Sequence, residues 1–176
     1  HIAVEYQVES TGEEADTQNI EFAVNGSVEN SSGDISLEGG ETTTGTFSYI
    51  TTEEDIGTVE VAVSSENATA TNTVTVEQKA FFEVTITNSS ADITEGENAT
   101  IDYEIENTGD RGATQDINFS VNGTQEDTRD ITLNGGEKQT GSFTYQTETG
   151  DAPEITAEIT SRDDSAAKTI TVNEPA

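Results

Sequence analysis

Apolar and polar residues alternate along most of this chain. Phe82-Glu83-Val84-Thr85-Ile86, Tyr103-Glu104-Ile105 and Ile155-Thr156-Ala157-Glu158-Ile159 each put apolar side chains on one face of an extended backbone and polar ones on the other. That period of two is what a half-buried β-strand requires. No segment carries a helical apolar period. In the later part of the chain, alternation and punctuation predict seven strands, at about 81–87, 99–107, 114–121, 128–133, 138–146, 154–162 and 166–173. Asn122-Gly123 suits the positive backbone angles of a tight hairpin, and Gly135-Gly136 marks a turn before the longest strand. Seven short antiparallel strands with turns at this spacing predict an immunoglobulin-like β-sandwich.

The pattern occurs twice. Residues 4–26 match residues 101–123 at a constant offset of 97, and residues 34–49 match 130–145 at an offset of 96. Asn25-Gly26 and Gly39-Gly40 repeat the turn signals. Eight of the ten aromatic residues fall into equivalent pairs, Tyr6 with Tyr103, Phe22 with Phe119, Phe47 with Phe143 and Tyr49 with Tyr145, which predicts that they form the cores. The expected domains are residues 1–78 and 79–176. The linker Glu77-Gln78-Lys79-Ala80 is short and lacks glycine and proline, so limited bending between modules is expected.

The repeats differ at their start. Residues 81–87 have no counterpart in the first repeat, because Ile2 and Ala3 align with Ala99 and Thr100. The first sandwich is therefore expected to lack its opening strand and to leave backbone groups and a strip of core uncovered. The missing strand would come from a preceding repeat segment or from a neighbouring subunit. Ile2, Val4 and Tyr6 are the expected interface strand, while Phe81, Phe82, Val84 and Ile86 form the strand and joint of the second repeat, with Phe81 or Phe82 directed outward. His1 is no initiator, so the stretch is expected to be a processed, truncated or tagged piece of a longer protein.

Composition changes the picture in one respect. The chain has 36 acidic residues against six basic ones, a formal charge of −30, with only 30% apolar residues. Such values alone would suggest disorder, but the alternation indicates folding. The acidic residues are spread over both repeats, and their repulsion is screened only when the Debye length falls to about 3 Å at molar salt. This surface resembles that of proteins from extreme halophiles, particularly haloarchaea, and argues against nucleic-acid partners. No apolar run reaches the roughly 18 residues of a membrane span, and no signal peptide begins the chain. Cysteine is absent, so no disulfide framework or thiolate metal site exists.

The motif Glu106-Asn107-Thr108-Gly109, followed by residues 112–123 and by Ile131-Thr132-Leu133-Asn134-Gly135-Gly136-Glu137, resembles the CARDB-type module, a cell-adhesion-related immunoglobulin-like domain. The first repeat carries it from Glu9-Ser10-Thr11-Gly12 through Leu37-Glu38-Gly39-Gly40-Glu41. The resemblance implies tandem CARDB-like antiparallel β-sandwiches, repeated extracellular modules of bacterial and haloarchaeal surface proteins, and no shared catalytic residues or cofactor.

Candidate chemistry is sparse. The single histidine is terminal, so no histidine-based triad or metal cluster can form, and no serine sits in a nucleophile-elbow pattern. Asp163-Asp164, or Asp127 with Asp130, are oxygen donors suited to calcium, but no EF-hand spacing surrounds them, and Asn67 and Ala68 replace the first pair in the other repeat. Solvated turn carboxylates are the simpler expectation. Sequons stand at Asn25, Asn30, Asn67, Asn88, Asn98, Asn118 and Asn122, with Asn30, Asn67 and Asn88 the expected glycan sites in a secreted archaeal protein. The expectation is a non-catalytic, extracellular structural module of a halophile stalk, adhesin, pilus-like filament or surface layer. It would contact copies of itself or neighbouring repeats through strand addition at the first domain's open edge. The alternative is an accessory carbohydrate- or protein-binding module of a secreted enzyme.

Overall fold

A computed structural model describes residues 1–176 throughout. The chain divides into two compact units, His1–Gln78 and Lys79–Ala176. The first contains β1 (Ile2–Glu9), β2 (Asp16–Val24), β3 (Ser27–Leu37), β4 (Thr42–Tyr49), β5 (Gly57–Ser64) and β6 (Thr69–Val76), with one short 3-10 turn at Glu53–Asp55. A two-stranded sheet, β1-β4, faces a four-stranded sheet in the order β3-β2-β5-β6. The second unit contains β7 (Phe82–Ser89), β8 (Asp92–Thr94), β9 (Asn98–Asn107), β10 (Ala113–Val121), β11 (Thr124–Leu133), β12 (Lys138–Gln146), β13 (Glu154–Thr160) and β14 (Ser165–Asn173). Its sheets run β12-β9-β7 and β11-β10-β13-β14-β8. The fold is an all-β tandem of immunoglobulin-like sandwiches.

Local chemistry sets the strands and their register. Asn25 and Asn122 adopt φ of 47° and 50°, each followed by a glycine at 82°. These successive left-handed residues form the tight turns that close β2-β3 and β10-β11. The hairpin carries β11 back to Thr124, earlier than alternation alone predicted, because pairing with β10 extends through polar, exposed residues. Gly45 and Gly141 lie opposite Tyr6 and Tyr103 in the two-residue register of their sheets. Each tyrosine ring occupies the space a glycine side chain would need, so a larger residue at either position would displace it.

The aromatic pairs are core residues in both units. Phe47 stacks against Tyr6 and Phe22 at centroid distances of 4.9 and 5.4 Å. Phe143 stacks against Tyr103 and Phe119 at 5.0 and 4.9 Å. Tyr49 donates to the Asp55 carboxylate at 3.2 Å, which also accepts from the Thr52 amide at 2.7 Å. Tyr145 and Asp151 repeat the first bond at 3.2 Å, with the Glu148 amide at 2.7 Å. Burial, with the neighbouring Asp151 charge, pushes the Tyr145 hydroxyl up to about 12.

One strand lies outside the expected seven. β8 is a short parallel strand on β14, with Val172 opposite Ile93. Its three residues are too few for alternation to reveal. Asn107 is fully buried, its amide nitrogen donating to the carbonyls of Arg111, Leu133 and Asn134 at 2.8, 3.3 and 3.1 Å. Its carbonyl oxygen accepts from the amides of Phe81 and Gly109, both at 3.1 Å. One side chain thereby ties the start of β7 to two turns. Asn107→Ala leaves these buried groups without partners and is expected to destabilise the second unit by about 1–3 kcal/mol. Faster hydrogen exchange across β9 in the full chain would register the loss, and unchanged protection would contradict it.

Candidate functional site

The first unit has an open groove between its two sheets. β1 and β6 are sheet edges there, each paired on one side only. Two adjoining hollows of about 380 and 460 Å³ share Val8, Glu9, Ile20, Ser65 and Ala68 in their walls, and the larger extends along Val4, Tyr6 and Val63. In the second unit the equivalent edges are covered, β9 by β7 and β14 by β8.

The covering decides the core. Val8 is half-buried where Ile105 is fully buried, and the same contrast separates Val63 from Ile159 and Val74 from Ile170. Tyr6 and Val4 are half-buried, whereas Tyr103 and Ile101 are buried. Ile20, Phe22, Phe47 and Val59 remain buried in both contexts with their counterparts. Half-buried apolar residues of β1, β5 and β6 thus line the side of the first sandwich where the second carries β7 and β8, and Ile35 and Leu37 of β3 are half-buried as well where Ile131 and Leu133 are buried.

A cluster of polar groups fastens β7 in the second unit. The Asp163 carboxylate accepts from the Phe82 amide at 3.0 Å, and the Asp164 carboxylate accepts from the Val84 amide at 2.9 Å. Ser161 donates to the Phe82 carbonyl at 2.7 Å, and Gln115 donates to Asp163. Asp163, exposed, and Asp164, half-buried, lie in the turn between β13 and β14, and their carboxylates also clamp the β7 backbone. Asp130 lies opposite Asp116 in the β10-β11 register. A hydrogen bond to that carboxylate, reinforced by its charge, raises the Asp130 pKa. No group of three or more acidic or histidine side chains is arranged to hold a metal ion.

The other sequence-derived residues have mixed placements. Ile2 is buried in the first core, and Phe82 and Val84 are buried in the second, so these three present no free surface. Val4, Tyr6 and Ile86 are half-buried, and Phe81 is the outward ring of the pair, 41% exposed. The sequon residues Asn25, Asn30, Asn67, Asn88, Asn98 and Asn122 are exposed, while Asn118 is half-buried and accepts from Thr128 at 2.9 Å. The carbonyl oxygens of Asn25 and Asn122 accept from the Glu60 and Thr156 amides at 3.0 and 2.9 Å, which gives both side chains a structural role.

A CARDB family profile matches residues 79–174. The chain belongs to the CARDB family. CARDB is a non-catalytic family of β-sandwich modules. Among solved structures, a CARDB domain from Pyrococcus furiosus, described as a complex with di-metal ions, is 14% identical with a TM-score of 0.49. The match covers 58% of this chain and 100% of that one. A β-glucosidase from Listeria innocua in complex with glucose is 15% identical with a TM-score of 0.45, over 53% of this chain and 16% of the enzyme. A chimeric titin Z1Z2 tandem is 22% identical with a TM-score of 0.34, over 99% of this chain and 92% of that one. The metal ions and the sugar belong to those proteins. No curated protein sequence matches the chain.

The clamp on β7 makes a direct prediction for the CARDB unit. Asp164→Ala removes the acceptor of the Val84 amide and is expected to speed exchange of that amide about tenfold, the factor a charge-assisted hydrogen bond supplies. Amides between β10 and β13 should be unaffected. Equal protection of Val84 in both proteins would contradict the clamp.

Proposed function

We propose that this chain is a non-catalytic structural module of an extracellular stalk, adhesin, pilus-like filament or surface-layer assembly in a halophile. The observation that carries the reading is the duplicated sandwich whose first copy leaves both a sheet edge and apolar core residues open. An edge with free backbone groups favours pairing with another strand, because main-chain hydrogen bonds supply affinity and alternate side chains supply register. Partners would be copies of the chain or neighbouring repeats.

The charge supports the setting. With a formal charge of −30, assembly of like chains is opposed in dilute buffer, and salt at molar concentration removes most of that opposition. Exposed sequon residues are compatible with glycosylation outside the cell. The reading as a binding accessory of a secreted enzyme has less support. Its usual platform is a face of exposed rings, and Phe81 is the one large exposed aromatic in the chain.

Electron microscopy of native material in molar salt is expected to show fibres or a surface lattice that loosen in dilute buffer. Isolated particles at both salt concentrations would contradict the assembly role. Intact-mass measurement of secreted native material should exceed the polypeptide mass through glycans at some of Asn30, Asn67 and Asn88, and a bare mass would refute that modification.

A further inference from the structure

In the second unit, with β7 and β8 both in place, one stretch of sheet edge still has no partner. β14 pairs with β13 from Ser165 to Thr171, but β8 covers its other edge only at Thr171, Val172 and Asn173. The Thr171 amide donates to the Ala91 carbonyl, away from β13. The amides of Thr169 and Ala167, two and four residues earlier, point the same way and have no acceptor in the protein. There is room beside them. A hollow of about 820 Å³ separates this part of β14 from the Val84–Ser89 stretch of β7.

Charge marks the same edge. Lys168 lies between the two free amides, exposed and in no ion pair, although acidic residues outnumber basic ones 36 to six. It is the only basic residue lining the hollow, and Asp92 is the only acidic one. Alternation puts Lys168 on the inner side of β14 with Ile170, which is buried. The equivalent position on β6 is Asn72, which has no charge. A strand suited to β14 therefore brings an acidic inner residue and free backbone groups on either side of it.

The opposite edge of the same sheet supplies that strand. β11 is exposed from Thr124 to Asp130. Asp127 is on its inner side, opposite Phe119, with its side chain 51% exposed and 3.5 Å from Arg129. Its carboxylate accepts from the Thr128 amide at 2.8 Å, so that amide is outside the ladder. Pairing Asp127 with Lys168 in antiparallel register sets Thr128 opposite Ala167 and Glu126 opposite Thr169, where the free amides are. Other edges fit less well. β3 is acidic, but two register shifts and Gly33 at φ 73° bend it, a feature that keeps edge strands from pairing. β4 and β12 contain no acidic residue.

We propose that the second unit of one chain joins the second unit of another, β11 of the first copy adding to β14 of the next with Asp127 against Lys168. Within a unit β11 runs opposite to β14, so copies related by a translation meet antiparallel. Each copy offers one donor edge and one receiving edge, and such a head-to-tail contact builds an open row rather than a closed dimer. The inference rests on the reading of the chain as an assembling module, and it names the contact.

The test follows association of the full chain in molar salt by sedimentation and by amide exchange. The Ala167, Thr169 and Thr128 amides should exchange more slowly as protein concentration rises. Thr169→Pro removes an amide that points away from β13, so melting should hold while association is lost. Lys168→Glu, at an exposed position, should raise the concentration for half-association about tenfold, and adding Asp127→Lys to it should restore association. Concentration-independent exchange at these amides, protection confined to other edges, undiminished association of Lys168→Glu, or no recovery in the paired swap would overturn the inference. Native fibres together with concentration-independent exchange would overturn this inference alone. Pairing in solution with only isolated native particles would support it and overturn the filament reading instead.

Discussion

Each sandwich depends on having an apolar sheet face opposite its own and on covering the backbone at its edges. In the second unit a single segment, residues 82–94, meets both demands by adding β7 to one sheet and β8 to the other. Its presence buries Ile101, Tyr103, Ile105, Ile159 and Ile170. Its absence leaves Val4, Tyr6, Val8, Val63 and Val74 half-exposed at matching positions in the first unit. Full burial of one such side chain contributes roughly 1.5–3 kcal/mol, of which the half-buried residues of the first unit realise only part.

With so little apolar material available, the fold uses polar groups for tasks a larger core would perform. Asn107 satisfies five backbone groups from one buried side chain. Asp163 and Asp164 hold the outer edge of β7, where no further strand pairs with it. The Tyr49-Asp55 and Tyr145-Asp151 bonds fix equivalent corners in the two units. Carboxylates engaged by backbone amides serve the fold as hydrogen-bond acceptors, while most other acidic residues stay in solvent, where salt controls their repulsion. The acidity and the small core are thus parts of one solution.

In this CARDB module the first unit departs from a closed sandwich at the groove between β1 and β6. Strand pairing at such a groove is directional and register-specific, because a one-residue slip would turn apolar side chains to solvent.

The sequence by itself determined the duplication, the all-β class, the hairpins at Asn25-Gly26 and Asn122-Gly123, and the absence of a first strand. All of these depend on local alternation or on aligning one half with the other. It also indicated which aromatic pairs pack inside, because inward positions recur every second residue. Tertiary structure alone decided that Phe82 is buried while Phe81 faces solvent, and that the turn carboxylates Asp163 and Asp164 clamp the backbone of β7. It also decided that Asn107 is a buried brace and that β8 runs parallel to β14. Those features join residues separated by up to 81 positions in the chain, as Phe82 and Asp163 are. No local period encodes such a pairing; it exists only once the sheets have brought the partners within hydrogen-bonding distance.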